Sequence, residues 1–208
     1  MEKLLNNPHI ISIQSILRII GERVEGNFIC DISPDNFTIS QNLDKIANLQ
    51  VLSRGKNKIC EIGVNACHSL LIMLLENPTA EYLLFDLNYH KYTEPCIQYI
   101  RSSFPKAKIT IVYGNSVETV KKYIETHKDE LKTYDLCHID GGHTDDILSN
   151  DFNNIKLLSK ASSPVIFDDS NYENIYYFLK DRLLKNEISV FKDENLNKTN
   201  AHFIYSYL

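Results

Sequence analysis

Asp140, Asp168 and Asp169 are the residues in this chain with the most chemistry to offer. Asp140 lies in the run His138-Ile139-Asp140-Gly141-Gly142-His143, and Asp168-Asp169 follow Pro164-Val165-Ile166-Phe167. Both groups close short apolar runs, at 134–139 and 164–167. Runs of that length, separated by helical pattern, read as buried parallel strands. Their carboxyl ends are where open α/β sheets hold ligands. Three carboxylates at one sheet edge repel each other unless a cation or a proton joins them. A divalent metal is the first candidate, because magnesium keeps several waters and needs only two or three carboxylates. His138, Asp140 and His143 offer zinc an alternative set, short of a full ligand complement. Inside its strand, His138 also reads as a core histidine making one hydrogen bond. His143, in a loop past two glycines, is a candidate proton acceptor near neutral pH. Its plainer reading is a loop histidine against a neighbouring carboxylate.

Three further turns carry ligand-binding residue types. Glu61-Ile62-Gly63-Val64-Asn65-Ala66-Cys67-His68-Ser69 spans a strand-to-helix turn, where Gly63 permits a positive φ and close backbone approach. It is not the dinucleotide fingerprint, since Asn65 and His68 follow Gly63. Asp86 ends the next strand, where a carboxylate can accept hydrogen bonds from both hydroxyls of a ribose or cap a helix. Gly114-Asn115-Ser116 ends the third, placed either to contact a base or to form an ordinary turn with Ser116 as N-cap.

The elements that must position these residues alternate from residue 57 onward. Strands are predicted over 58–64, 81–87, 108–113, 134–140 and 164–168, with helices over 66–76, 94–104, 116–126, 144–158 and 174–185. Two closing strands, 188–192 and 201–208, are joined by a polar loop too short for a parallel crossover. The predicted fold is α/β: a doubly wound, mostly parallel seven-stranded sheet with a C-terminal antiparallel strand, preceded by an N-terminal helical segment. Ile10, Ile13, Ile16, Leu17 and Ile20 place an amphipathic helix over 9–22. Residues 24–40 read as irregular and 44–52 as another helix. Residues 1–54 are thus a helical cover, or a lid or dimerisation arm, on a domain spanning 55–208, within one globular unit.

Bulk properties narrow the function. The 208 residues carry a net charge of −5, which argues against a nucleic-acid partner. No apolar stretch suits a membrane and no signal pattern opens the chain, so the expectation is a cytoplasmic protein. Cys30, Cys60, Cys67, Cys96 and Cys137 are scattered, odd in number and expected to be reduced. Tyr89, Tyr92, Tyr172, Tyr176 and Tyr177 read as an aromatic pocket wall or as plain packing. The amphipathic N-terminal helix leaves a homodimer open.

Together these motifs resemble the class I S-adenosylmethionine-dependent methyltransferases over roughly residues 55–208. Within that superfamily they are most similar to the small-molecule and sugar O-methyltransferases, akin to the metal-dependent catechol-type enzymes. The resemblance implies S-adenosylmethionine held by Glu61, Gly63, Asn65, Ser69, Asp86, Asn115, Ser116 and Asp140, with Glu61 toward the methionine end. It implies Mg2+ or another divalent cation on Asp140, Asp168 and Asp169. It also implies methyl transfer to a hydroxyl of a sugar or catechol-like diol, with Asp140 and His143 as the catalytic pair. Two departures stand out: Asn65 and Cys67 occupy glycine places in the first motif, and His143 replaces the catechol-type lysine base. The alternatives are a metal-independent methyltransferase acting on nitrogen or a macromolecule, and a nicotinamide-dependent oxidoreductase.

Overall fold

A computed structural model describes residues 4, 6–25, 30–33, 36–39 and 43–208. Helix α1, Pro8–Ile20, starts where the Asn7 side chain accepts the His9 amide and stops at Gly21 in the left-handed region. Strands β1, Cys30–Ser33, and β2, Asn36–Ile39, pair antiparallel. They correct the expectation of an irregular 24–40 segment. The alternation there is too short to be told from a loop by pattern alone. Helix α2 is Leu43–Ser53.

The alternating part follows as β3 (Lys58–Ile62), α3 (His68–Glu76), β4 (Glu81–Asp86), α4 (Thr93–Ser103), β5 (Lys108–Tyr113) and α5 (Ser116–Thr126). A short 3₁₀ turn at Lys128–Glu130 leads to β6 (Leu136–Ile139), α6 (Asp145–Leu158), β7 (Val165–Asp168), α7 (Glu173–Leu184), β8 (Ile188–Val190) and β9 (His202–Tyr207). The N-cap of α5 is Asn115, whose side chain accepts the Val117 amide; Ser116 is the first helical residue and not, as expected, the cap.

The seven strands of the main sheet run in the order β5-β4-β3-β6-β7-β9-β8. The first five are parallel neighbours, and β9 lies antiparallel between β7 and β8. Successive strand residues face opposite sides, so Ile59 joins one core and Cys60 and Ile62 the other. Ile10, Ile13 and Leu17 of α1 and Ile46, Leu49 and Leu52 of α2 are buried in the same core as Leu70 and Leu71 of α3. The N-terminal helices therefore cover one face of the sheet. Cys60, Cys67, Cys96 and Cys137 are buried free thiols, while the Cys30 side chain lies outside those described. Among the described residues no helix is long and apolar enough to cross a membrane.

Candidate functional site

The order of strand addition reverses at β3, with β4 and β5 on one side and β6 and β7 on the other, which opens a crevice at the carboxyl ends of these parallel strands. A cleft of about 390 Å³ lies there. Gly63, Asn65, Asp86, Asn115, Ser116 and Asp140 line it, together with Glu25, Tyr89, His90, Gly141, Gly142 and Ile147. Six of the eight residues expected to hold a cofactor thus share one cavity. Gly63 (φ 87°) makes the turn, and Asn65 (φ 49°) and Cys67 (φ 64°) also take the left-handed backbone that favours glycine. The two residues at the motif's glycine places thus both adopt a backbone that glycine takes freely, at a steric cost an Asn bears more readily than a Cys. Asp86 fastens the turn: Oδ2 accepts the Val64 and Asn65 amides at 2.9 and 2.8 Å, and Oδ1 accepts that of Asn88 at 2.7 Å.

Glu61 and Ser69 are not in the cleft. Both are buried beneath the turn, where Ser69 Oγ donates to Glu61 Oε1 at 2.5 Å and His138 Nδ1 lies 2.9 Å from the same oxygen. Period two explains this correction. Glu61 pairs with His138 across β3 and β6, and Asp168 is opposite His202 across β7 and β9. All point to the face covered by α2 and α3, forming a polar row inside the core.

That row contains the acid cluster. Donor atoms of His138, Asp140 and Asp168 lie within 4.8 Å of one another. Neither Asp169 nor His143 belongs to this group, which alters both the expected magnesium set and the zinc set. Lys45, from the first turn of α2, reaches the cluster instead: its Nζ is 2.5 Å from Asp168 Oδ1 and 3.9 Å from Asp169 Oδ1. His138 Nε2 is 3.6 Å from Asp168 Oδ2. Burial disfavours the charged imidazole, but the Asp168 and Glu61 carboxylates on either side outweigh it and hold the His138 pKa up at about 10. Burial likewise opposes charge on Asp168, yet His138 and Lys45 pull its pKa down to about 2. Asp140 is pushed well above its ordinary range by desolvation and by the Asp168 charge, and the same causes raise Asp169. The repulsion foreseen from the sequence is thus met by the Lys45 ammonium and the His138 imidazole, and the two acids left beside Asp168 are raised toward their neutral form.

His143 sits at the rim, outside the cleft lining. Its Nε2 is 3.2 Å from Asp169 Oδ2 and its ring 5.0 Å from that of Tyr172. Tyr92 is fully buried and stacked on His90, so it belongs to the core and not to a pocket wall. Sequence reasoning missed Lys45 and the strap at residues 22–25. There Glu22 binds His90 Nδ1 at 2.8 Å, and the Glu25 carbonyl accepts from the Asn65 side chain. Both depend on juxtapositions that no local pattern reports.

Asp151, on α6, was also unforeseen. Its carboxylate packs under Gly141, where an added Cβ would meet Oδ2 at 2.8 Å. It is 1% exposed, and burial raises its pKa to about 6, the nearby Ser116 hydroxyl offsetting only part. Because this acid is raised above its unfolded value, folding is penalised progressively as pH rises from about 4 through 6. Asp151→Asn is expected to stabilise the protein at pH 7.5 by up to about 3 kcal/mol. The gain should disappear below about pH 4, as read by urea unfolding at both pH values; equal stabilities at pH 7.5 would exclude a penalised carboxylate.

A family model described as a methyltransferase domain matches residues 60–170. No curated protein matches the sequence. Among solved structures, an O-methyltransferase from Bacillus cereus in complex with SAH is 14% identical, with a TM-score of 0.69 covering 99% of this chain and 94% of that one. An O-methyltransferase from Streptomyces achromogenes involved in tomaymycin synthesis, in complex with SAM, is 12% identical, with a TM-score of 0.62 over 96% and 88%. A TDP-rhamnose 3'-O-methyltransferase of calicheamicin biosynthesis is 14% identical, with a TM-score of 0.60 over 97% and 95%.

Proposed function

The chain belongs to the methyltransferase domain family whose model matches residues 60–170, and from that premise we propose that it moves the methyl group of S-adenosylmethionine to a hydroxyl oxygen of a small molecule, a sugar or catechol-like diol. The observation that carries this reading is the convergence of Gly63, Asn65, Asp86, Asn115, Ser116 and Asp140 on one cleft at the sheet's reversal point. Family membership sets aside the nicotinamide-dependent alternative. The shared fold with a sugar O-methyltransferase supports a hydroxyl acceptor.

When bound, the sulfonium supplies an electrophilic methyl, so the protein's task is orientation and electrostatics. Asp86 would hold the ribose hydroxyls, the Gly63 turn the methionine end, and Asn115 and Ser116 the base. Asp140 faces the acceptor at the cleft floor. His143, oriented by Asp169, would take the proton of the acceptor hydroxyl. Tyr172 beside it forms an acceptor wall.

The acid cluster as arranged does not fit a divalent ion. An oxygen of Asp168 is bound by the Lys45 ammonium group, and Asp169 is turned away to His143. No step is therefore routed through a metal. Calorimetry with S-adenosylmethionine, and S-adenosylhomocysteine release with a panel of sugars and diols, test the proposal. His143→Gln is expected to lower kcat by about 10²–10⁴-fold with the cofactor's Kd little changed. Absence of cofactor binding, or turnover with nitrogen acceptors alone, would overturn it.

A further inference from the structure

We infer that the ammonium group of Lys45 is the resident cation of the acid cluster, and that it closes to divalent metal the carboxylate corner formed by Asp140, Asp168 and Asp169. The inference rests on the proposed methyl transfer only for its consequence, a reaction indifferent to chelators.

The lysine is built into the site. Its side chain is 6% exposed and that of Asp168 is 1% exposed, with 2.5 Å between Nζ and Oδ1. Lysine is almost never buried unless paired. Lys45 is moreover in the first turn of α2, where the helix end repels positive charge. Neither burial nor the helix favours it there; the acids do. The other Asp168 oxygen faces His138, so both are already directed at cations. Magnesium binds carboxylate oxygen at about 2.1 Å. An ion sharing Asp168 would stand within about 5 Å of the ammonium in a site with little water to screen the repulsion. Asp169, the third expected ligand, is turned to His143 at 3.2 Å. Lys45 acts through Asp168 and is a positioning residue: it fixes the acid while Asp140 remains on the cleft.

The test is Mn2+ binding, read by electron paramagnetic resonance on the full chain without cofactor. The wild type should leave the free-ion signal undiminished up to about 1 mM Mn2+. Lys45→Met, which vacates the corner without adding a charge, should bind at least about tenfold tighter, and Mn2+ should raise its melting temperature. Wild-type binding tighter than about 0.1 mM, or a Lys45→Met protein that is folded by circular dichroism and binds no better, would overturn the inference. Should Lys45→Met not fold, Lys45→Arg keeps the charge and must exclude Mn2+ as the wild type does; binding by it counts against the inference. Because these titrations contain no S-adenosylmethionine, their failure is distinguishable from failure of the proposed methyl transfer, which calorimetry reads.

Discussion

Replacing Gly63 with alanine is expected to abolish cofactor binding and to lower stability by about 4 kcal/mol or more. At φ 87° the residue sits where L side chains are strained, a cost of about 1–2 kcal/mol. The larger cost is the collision: an added Cβ would lie 1.8 Å from the Asp140 carbonyl oxygen and 2.6 Å from its carbon. Both atoms are backbone, so no side-chain rotation can clear them. The Asp140 amide is also bound to the Ile62 carbonyl at 2.8 Å, so relief must pull β3 and β6 apart at the cleft. At about 2–4 °C per kcal/mol for a chain of this size, the melting temperature should fall by roughly 10 °C or more. Gly55→Ala supplies the comparison, since Gly55 has a similar φ and nothing within 4 Å; it should cost only the backbone strain. A Gly63→Ala protein melting as the Gly55→Ala protein does would contradict the close approach of the two strand ends.

Replacing Asp168 with asparagine is the second large effect, about 3–5 kcal/mol of stability lost. The carboxylate is the direct partner of buried Lys45 and, with Glu61, flanks the imidazolium of His138. Removing its charge leaves two buried cations with Glu61 as the main counter-charge. Removing both ends of the pair is expected to cost less than the two single losses together, because what hurts is the unpaired charge. Denaturant unfolding of Asp168→Asn, Lys45→Met and the double variant measures that coupling. A strictly additive double variant would mean that the 2.5 Å ion pair contributes nothing to the fold.

Much of the fold was legible because its signals are local. Apolar runs such as 164–167, and the turn residues Gly63 and Asn115, mark strands and their ends wherever they occur. The same logic brought Asp86, Asn115, Ser116 and Asp140 to one edge, since each ends or follows a parallel strand. It did not foresee that Glu61 and Ser69 lie buried beneath the turn instead of lining the cleft. A carboxylate beside a glycine turn looks like a ligand-binding group until the register with His138 shows which face it points to. It failed for the 30–39 hairpin, whose pairing is no stronger in pattern than a loop.

The sequence by itself determined that carboxylates meet at a sheet edge, and that a cation or proton must join them there. Electrostatics requires that of any arrangement of Asp140, Asp168 and Asp169. Which cation answers was decided only by tertiary structure. Lys45 stands far from these acids in the chain, on a helix whose apolar stripe says that it packs but not where. Docking of that helix through Ile46, Leu49 and Leu52 sets the ammonium against Asp168. The register of β3 with β6 sets the imidazole of His138 between Glu61 and Asp168. Long-range packing therefore chose lysine and histidine where local pattern pointed first to a metal.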